Sequence, residues 1–146
     1  MPQRLRAKLT DMVGILIVSH SEDAARGIAE IARGMSGVGD GVPILGVGGN
    51  DEGGLGVSVG KIMDALSGLL PKCDGVLILP DLGSSILSSR GAVGMLPPED
   101  AAKVALANAP VLEGAMLAAV EASAGSNLAE VAESAREARN LDKSEH

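Results

Sequence analysis

The imidazole of His20 is the side chain of this sequence best suited to proton transfer or nucleophilic attack. It comes directly after a short apolar run, 13–18, and Ser19. Such a run is typical of a buried parallel strand, and ligands of α/β sheets bind beyond the carboxyl ends of the strands. The only other histidine, His146, is the last residue. Imidazole chemistry is therefore expected at His20.

Polar residues and glycines follow two other apolar runs. The glycine-rich segment 48–56 follows the run 42–47, and Asp81 and Ser84 come just after the run 75–79. If these runs are parallel strands, the groups that follow them meet the imidazole at one edge of the sheet. The sequence therefore predicts that an imidazole, a carboxylate, hydroxyl groups and glycine amides lie close together.

This combination suits a phosphohistidine site. A carboxylate at Asp81 that accepts the Nδ1 proton would fix the tautomer of His20 and leave Nε2 as the nucleophile. The amides and dipole of a helix that begins just after His20 favour an anion, and the glycine amides of 48–56 can approach the same anion. Cys73 has no second Cys or His at metal-ligand spacing, so no metal and no other cofactor is expected.

Each of these features also has a purely structural interpretation. Asp81, Ser84 and Ser85 could cap the helix that follows them, and Ser21 could cap the preceding one. The segment 48–56 could be a long turn, because it matches neither the phosphate-binding P-loop nor the dinucleotide fingerprint. Structural and chemical interpretations both stay open on the residues alone.

The composition limits the class of protein. The 146 residues fit one domain, and a core without Phe, Tyr or Trp must be aliphatic. A net charge of −7 argues against nucleic-acid binding, and no apolar stretch is long enough to cross a membrane. The lone cysteine excludes an internal disulfide and favours a reducing, cytoplasmic location. Residues 1–11 are interpreted as a flexible extension and 141–146 as a polar tail.

Strand and helix patterns alternate along the chain. Strands are predicted at 13–18, 42–47, 75–79 and 103–107, and helices at 24–35, 57–70, 84–95, 113–123 and 126–140. This alternation predicts a single α/β domain with right-handed crossovers and a parallel sheet. The periodicity alone does not decide the order of the strands.

Four segments carry a family resemblance. They are 14–20 (Gly-Ile-Leu-Ile-Val-Ser-His), 48–56 (Gly-Gly-Asn-Asp-Glu-Gly-Gly-Leu-Gly), 81–84 (Asp-Leu-Gly-Ser) and 109–115 (Ala-Pro-Val-Leu-Glu-Gly-Ala). Together they resemble the mannose-type IIA superfamily of the phosphoenolpyruvate-dependent phosphotransferase system, within it the phosphotransfer subunits of dihydroxyacetone kinases. The resemblance covers about residues 12–140, which are expected to form one mannose-type IIA domain.

The resemblance implies a three-layer fold with a four-stranded parallel sheet in the order 2-1-3-4, and a homodimer. It implies that His20 accepts a phosphoryl group from the phosphocarrier HPr and that Asp81 orients the ring. The group then passes to ADP on the L subunit of the kinase, and the ATP formed phosphorylates dihydroxyacetone held on the K subunit. Expected phosphate contacts are Ser21, Gly48, Gly49, Ser58 and Ser84.

Three residues depart from the family pattern. Asn50 and Val57 stand where a threonine is usual, and Ser85 stands where an alanine is usual. The chain is too short for the HPr-like and enzyme I-like domains fused to some members, so a separate HPr is expected. Two alternatives remain: a IIA domain serving a sugar permease or regulator, and a non-catalytic α/β module that binds an anion.

Overall fold

The computed structural model describes residues 10–145, and these residues form one α/β domain. Its strands are β1 (Val13–Ser19), β2 (Ile44–Gly48), β3 (Gly75–Pro80) and β4 (Val104–Leu106). All three pairings are parallel, and the order is β2-β1-β3-β4. The predicted fold class and strand order are therefore confirmed.

Helices connect the strands. They are α1 (Glu22–Ser36), α2 (Val59–Leu69), α3 (Gly83–Gly94), α4 (Pro98–Ala101), α5 (Val111–Ser123) and α6 (Leu128–Glu137). The five predicted helices are present with small shifts at their ends. The four-residue α4 was not predicted; proline at its first position and Glu99 and Asp100 in its first turn suit a helix start.

The sheet is covered on both faces, which makes the domain three layers. Ile15 and Ile17 face one core shared with alanines of α1, α5 and α6. Leu16 and Val18 face a second core with α2 and α3. All seven residues of β1 are buried, as expected for a central parallel strand. Small alanine side chains let the helices pack closely without any aromatic residue.

Glycine permits one especially close contact between a helix and the sheet. A Cβ atom at Gly46 of β2 would lie 2.3 Å from the carbonyl oxygen of Ala25 in α1. Because both atoms are held by the backbone, only glycine fits there. This contact fixes the position of α1, and hence of the turn that carries His20, relative to the sheet.

The sheet topology places a crevice beside β1. From β1 the chain passes to β2 on one side, and β3 lies on the other. The order of the strands reverses at this point, and ligands of doubly wound folds bind there.

Of the segments assigned to chain ends, residues 1–9 lie outside the described residues. Asp11 donates its amide hydrogen to the carbonyl of Gly125. Among residues 10–145, no helix has the length and apolar character needed to cross a membrane.

Candidate functional site

His20 lies just beyond β1 and is held by the carboxylate of Asp81, which lies just beyond β3. The Nδ1 atom of His20 is 3.0 Å from Asp81 Oδ1, and the backbone amide of His20 donates to Oδ2 at 3.0 Å. Neighbouring parallel strands bring these residues together although they are 61 positions apart in sequence. The predicted imidazole–carboxylate pair is thus present in the structure.

Asp81 is ionised at neutral pH. Burial by itself raises the pKa of its carboxyl group. Hydrogen bonds outweigh this effect and bring the pKa down to about 2; they come from the backbone amide of His20, the hydroxyls of Ser19 and Ser85 and the His20 ring. An ionised carboxylate is an acceptor only. The His20 ring must therefore present a proton on Nδ1, which leaves the lone pair of the neutral ring on Nε2.

Asp81 also touches the start of α3, so the capping interpretation is partly met. Its Oδ1 accepts the amide hydrogen of Leu82 at 2.6 Å. Leu82, one residue later, holds the N-cap position. The hydroxyl of Ser85 donates to the carbonyl of Leu82 at 2.5 Å and accepts from its amide at 3.0 Å. The departure at Ser85 therefore supplies a local cap for α3.

Ser84 contacts the second ring nitrogen. Its Oγ lies 2.6 Å from His20 Nε2. Because Nδ1 carries the ring proton, the Ser84 hydroxyl donates to the lone pair of Nε2. Ser84 is exposed and lies in the first turn of α3, where unpaired amides and the helix dipole favour an anion. The unprotonated ring nitrogen thus faces a hydroxyl and a helix N-terminus together.

Ser21 caps α1. Its Oγ accepts the amide hydrogen of Ala24 at 3.1 Å, as one of the two sequence interpretations expects. Glu22 and Asp23 follow in the first turn. These exposed carboxylates suit the dipole of α1, but they also make this side of the site acidic.

The glycine-rich segment lies against the backbone of the site. The amide of Gly56 donates to the carbonyl of His20 at 2.9 Å. A Cβ atom at Gly48 would lie 2.5 Å from the carbonyl oxygen of Ser19, so this position serves close packing. Gly49 has a φ of 79°, a left-handed conformation that favours glycine. Both glycines thus lie beside the turn that carries His20.

Asn50 shapes the loop that follows. Its Oδ1 accepts the amides of Glu52 and Gly54 at 3.0 and 2.8 Å, and its Nδ2 donates to the carbonyl of Leu55 at 3.3 Å. The asparagine that replaces the family threonine therefore closes a side-chain turn. Sequence reasoning noted the substitution but did not foresee these bonds.

Ser58 is buried at the start of α2 and is fully engaged there. Its hydroxyl donates to Asp51 Oδ1 at 2.6 Å and accepts the amide hydrogen of Lys61 at 3.2 Å. Lys61 Nζ in turn donates to the carbonyl of Gly48 at 3.0 Å. Sequence reasoning missed Lys61, because a lysine in a helical pattern gives no signal of such a contact. Within residues 10–145, no group of His, Cys, Asp and Glu could hold a metal ion.

A family model and a solved structure match this chain. The family model EIIA-man, described as PTS system fructose IIA component, matches residues 14–132. A solved crystal structure of an unknown function protein, EF1359, has a TM-score of 0.77 and 33% identity, and the match covers 86% of this chain and 93% of that one.

Several curated relatives carry one functional name. A protein of Klebsiella michiganensis is 37% identical over 87% of this chain, and one of Escherichia coli K12 is 38% identical over 82%. Both are called PEP-dependent dihydroxyacetone kinase, phosphoryl donor subunit DhaM. The matches cover 27% and 25% of those proteins, so this chain spans about a quarter of their length. A Listeria innocua relative, PEP-dependent dihydroxyacetone kinase 2, phosphoryl donor subunit DhaM, is 36% identical over 75% of this chain and 86% of its own length.

Proposed function

Because the chain belongs to the EIIA-man family of the phosphotransferase system, we propose that it is a phosphohistidine carrier whose nucleophile is His20. In this proposal Nε2 takes a phosphoryl group from HPr and passes it to ADP on the L subunit of a dihydroxyacetone kinase. The observation that carries the proposal is the pinned ring: Asp81 holds Nδ1 and Ser84 faces Nε2.

The first transfer follows from the ring geometry. The lone pair of Nε2 attacks the phosphorus atom of phosphorylated HPr, the new N–P bond forms, and the N–P bond of the donor breaks with its electron pair returning to the donor nitrogen. Positive charge develops on the ring of His20 during this step. The Asp81 carboxylate, 3.0 Å from Nδ1, stabilises that charge and keeps the ring oriented.

The second transfer runs in the opposite sense. An oxygen of the terminal phosphate of ADP attacks the phosphorus on Nε2, and the electron pair of the N–P bond returns to the ring. ATP leaves and the neutral tautomer of His20 is restored. Asp81 is again the residue that favours the correct tautomer, because its carboxylate accepts only from a protonated Nδ1.

Ser84 is the phosphate contact that the geometry favours most. When a phosphoryl group occupies Nε2, the hydroxyl now donating to that atom is free to donate to a phosphoryl oxygen, beside the amides of the first turn of α3. The contacts predicted for Ser21, Gly48 and Gly49 remain part of the proposal, and the Ser21 hydroxyl can donate to the phosphate while its oxygen accepts from Ala24. The contact predicted for Ser58 is the least favoured, because its hydroxyl already donates to Asp51 and would have to leave that carboxylate first.

The names of the relatives favour dihydroxyacetone kinase as the acceptor system. The K subunit as the final user of the ATP and a homodimeric state belong to the proposal through the family resemblance alone. A second candidate is a IIA domain that serves a sugar permease, because the matching family model is described by its fructose IIA component. A third, non-catalytic anion binding, predicts no covalent phosphate at all.

One experiment separates these functions. The protein is incubated with phosphoenolpyruvate, enzyme I and HPr, and its mass is measured before and after acid and base treatment. A carrier gains one phosphoryl group that is acid-labile and base-stable, and His20→Ala gains none. Addition of the L subunit with ADP and the K subunit should then yield dihydroxyacetone phosphate.

Two results would contradict the proposal. If the protein gains no phosphate, or if His20→Ala gains it equally, His20 is not the carrier. If the phosphorylated protein gives nothing to the kinase subunits but phosphorylates a sugar through a permease, the second candidate replaces the first. Asp40→Ala serves as a control, because Asp40 is exposed in the loop before β2, at the opposite end of the sheet from His20.

A further inference from the structure

An exposed apolar surface lies beside the nucleophilic nitrogen. Leu82 and Leu87 are 67% and 68% exposed. Leu82 follows Asp81 in the chain, and Leu87 lies one turn after Ser84, which contacts His20 Nε2. The surface therefore borders Asp81 and Ser84, the two residues that hold the His20 ring.

The outward side of α3 is flat around these leucines. Gly91 and Gly94 lie on the same side of the helix as Leu87, and added Cβ atoms there would meet nothing within 4 Å. The opposite side of α3 is buried through Ser85, Ser89 and Ala92. The surface formed by Leu82, Leu87, Arg90 and Gly91 is called the α3 face below.

The two sides of His20 differ in charge. The sheet order places the loop after β2 on one side and the segment after β3 on the other. The first side carries the exposed acids Glu22, Asp23, Asp51 and Glu52. On the second side, residues 81–96 carry one negative charge, on Asp81 beside the His20 ring, and one positive charge, on Arg90, although the whole chain has a net charge of −7. An anionic partner is therefore repelled on the first side and meets an exposed cation on the second.

Arg90 reaches the neighbourhood of the catalytic pair. It lines a cavity of about 290 Å³ that is also lined by Asp81 and Asn108. Arg90 is exposed, and among residues 10–145 the structure shows no carboxylate paired with it. Its guanidinium group is thus available to a phosphate that approaches from outside.

The donor and the acceptor of a phosphohistidine carrier differ in the number of phosphate groups that they bring to the site. A phosphohistidine donor brings only the group that is transferred. A nucleoside diphosphate acceptor keeps two further phosphates next to the transferred group, and these need compensating positive charge. Arg90 therefore has an anion to bind chiefly in the acceptor complex.

We propose that the α3 face docks the acceptor protein, with Leu82 and Leu87 as apolar anchors and Arg90 directed to the phosphates of its bound nucleoside diphosphate. This inference rests on the proposed function and adds where the acceptor binds. Exposed leucines around a flat surface provide contact area, and the single arginine provides specificity for the nucleotide-loaded form.

The test measures binding of the cognate L subunit to this protein, with and without ADP. Leu87→Ala weakens both complexes at least tenfold. Arg90→Glu weakens the ADP-loaded complex at least tenfold and the nucleotide-free complex much less. Leu55→Ala is the matched control for an exposed leucine on the acidic side, and Arg26→Glu is the control for an equal change of charge on α1; both stay within twofold of wild type.

A second measurement follows the two transfers separately. Arg90→Glu takes the phosphoryl group from HPr within about threefold of the wild-type rate but passes it to ADP at least tenfold more slowly. Equal losses in Leu55→Ala and Leu87→Ala, or an Arg90→Glu effect that is the same with and without ADP, would overturn the docking proposal. A wild-type protein that binds the L subunit through the α3 face yet takes no phosphate would instead overturn the proposed function alone.

Discussion

The hydroxyl of Ser84 lies 2.6 Å from Nε2 of His20, so the atom proposed as the nucleophile already makes a hydrogen bond in the unphosphorylated protein. The other ring nitrogen of His20, Nδ1, lies 3.0 Å from Oδ1 of Asp81. The ring is therefore fixed from both sides, and Ser84 must release Nε2 before phosphorus can bind there. The same hydroxyl can then donate to the phosphoryl group.

Replacement of Ser84 by alanine should shift the phosphorylation equilibrium toward the unphosphorylated protein. Alanine also removes the present hydrogen bond to Nε2, so only the difference between the two states counts. A hydrogen bond to a charged group contributes about 1.5–3 kcal/mol and a neutral one about 0.5–1.5 kcal/mol, so the expected shift is about five- to tenfold. The measurement is the fraction of protein phosphorylated at equilibrium with HPr and phosphorylated HPr. Ser88→Ala, on the same helix, is the control. An unchanged equilibrium would show that Ser84 does not contact the phosphoryl group.

Replacement of Asp81 by asparagine should slow both transfers by about 100-fold or more, because the neutral amide no longer stabilises charge on the ring or selects the Nδ1-protonated tautomer. The measurement is single-turnover transfer from HPr, with circular dichroism to confirm the fold. Glu113→Gln is a control that removes a carboxylate paired with Lys143, away from the ring. If Asp81→Asn transfers at wild-type rates, Asp81 only stabilises the start of α3.

The same carboxylate should make stability depend on pH. Its folded pKa of about 2 lies below the ordinary value of 3.8, so ionised Asp81 stabilises the folded state above about pH 4. This stabilisation, about 2 kcal/mol, is lost as the pH falls from 4 toward 2. The free energy of unfolding should therefore fall more steeply over this range in wild type than in Asp81→Asn. If the two curves of unfolding free energy against pH run parallel, the lowered pKa of Asp81 is contradicted.

A methyl group at Gly48 should disturb the turn that carries His20. The added Cβ atom would lie 2.5 Å from the carbonyl oxygen of Ser19 and 2.6 Å from that of Ser21. Because backbone atoms cannot easily move, Gly48→Ala is expected to destabilise the fold by about 1–3 kcal/mol and to slow phosphorylation. Gly34→Ala in α1 is the control, since nothing lies within 4 Å of its added Cβ. Urea unfolding measures the free energy of unfolding of both variants.

Local patterns were sufficient to predict most of the fold. The apolar run at 13–18 has the length and composition of a central strand, and burial of every residue of β1 agrees with it. The predicted edge strand 103–107 is one residue longer at each end than β4, which spans Val104–Leu106. The carbonyl of Lys103 and the amide of Ala107 still bond to β3, so the difference lies only in where the strand is taken to end.

The site was predictable where it depends on strand ends and less so where it depends on side-chain partners. His20 and Asp81 meet because parallel neighbouring strands end at one edge, which the alternation of strands and helices implies. The contacts of Asn50 and Lys61 depend on the path of the loop after β2. No periodic pattern describes such a loop, so its hydrogen bonds were accessible only in three dimensions.

Ser58 separates these two kinds of evidence most clearly, because the family resemblance predicts a phosphate contact and the structure shows a buried N-cap. Its hydroxyl accepts from Lys61 and donates to Asp51. Ser58→Ala should lower the free energy of unfolding by about 1 kcal/mol, the usual effect of a lost cap, and leave the phosphorylation equilibrium within about twofold. Ser67→Ala, exposed on α2, is the control. If Ser58→Ala instead shifts the equilibrium about tenfold without loss of stability, its hydroxyl must leave Asp51 to bind the phosphoryl group.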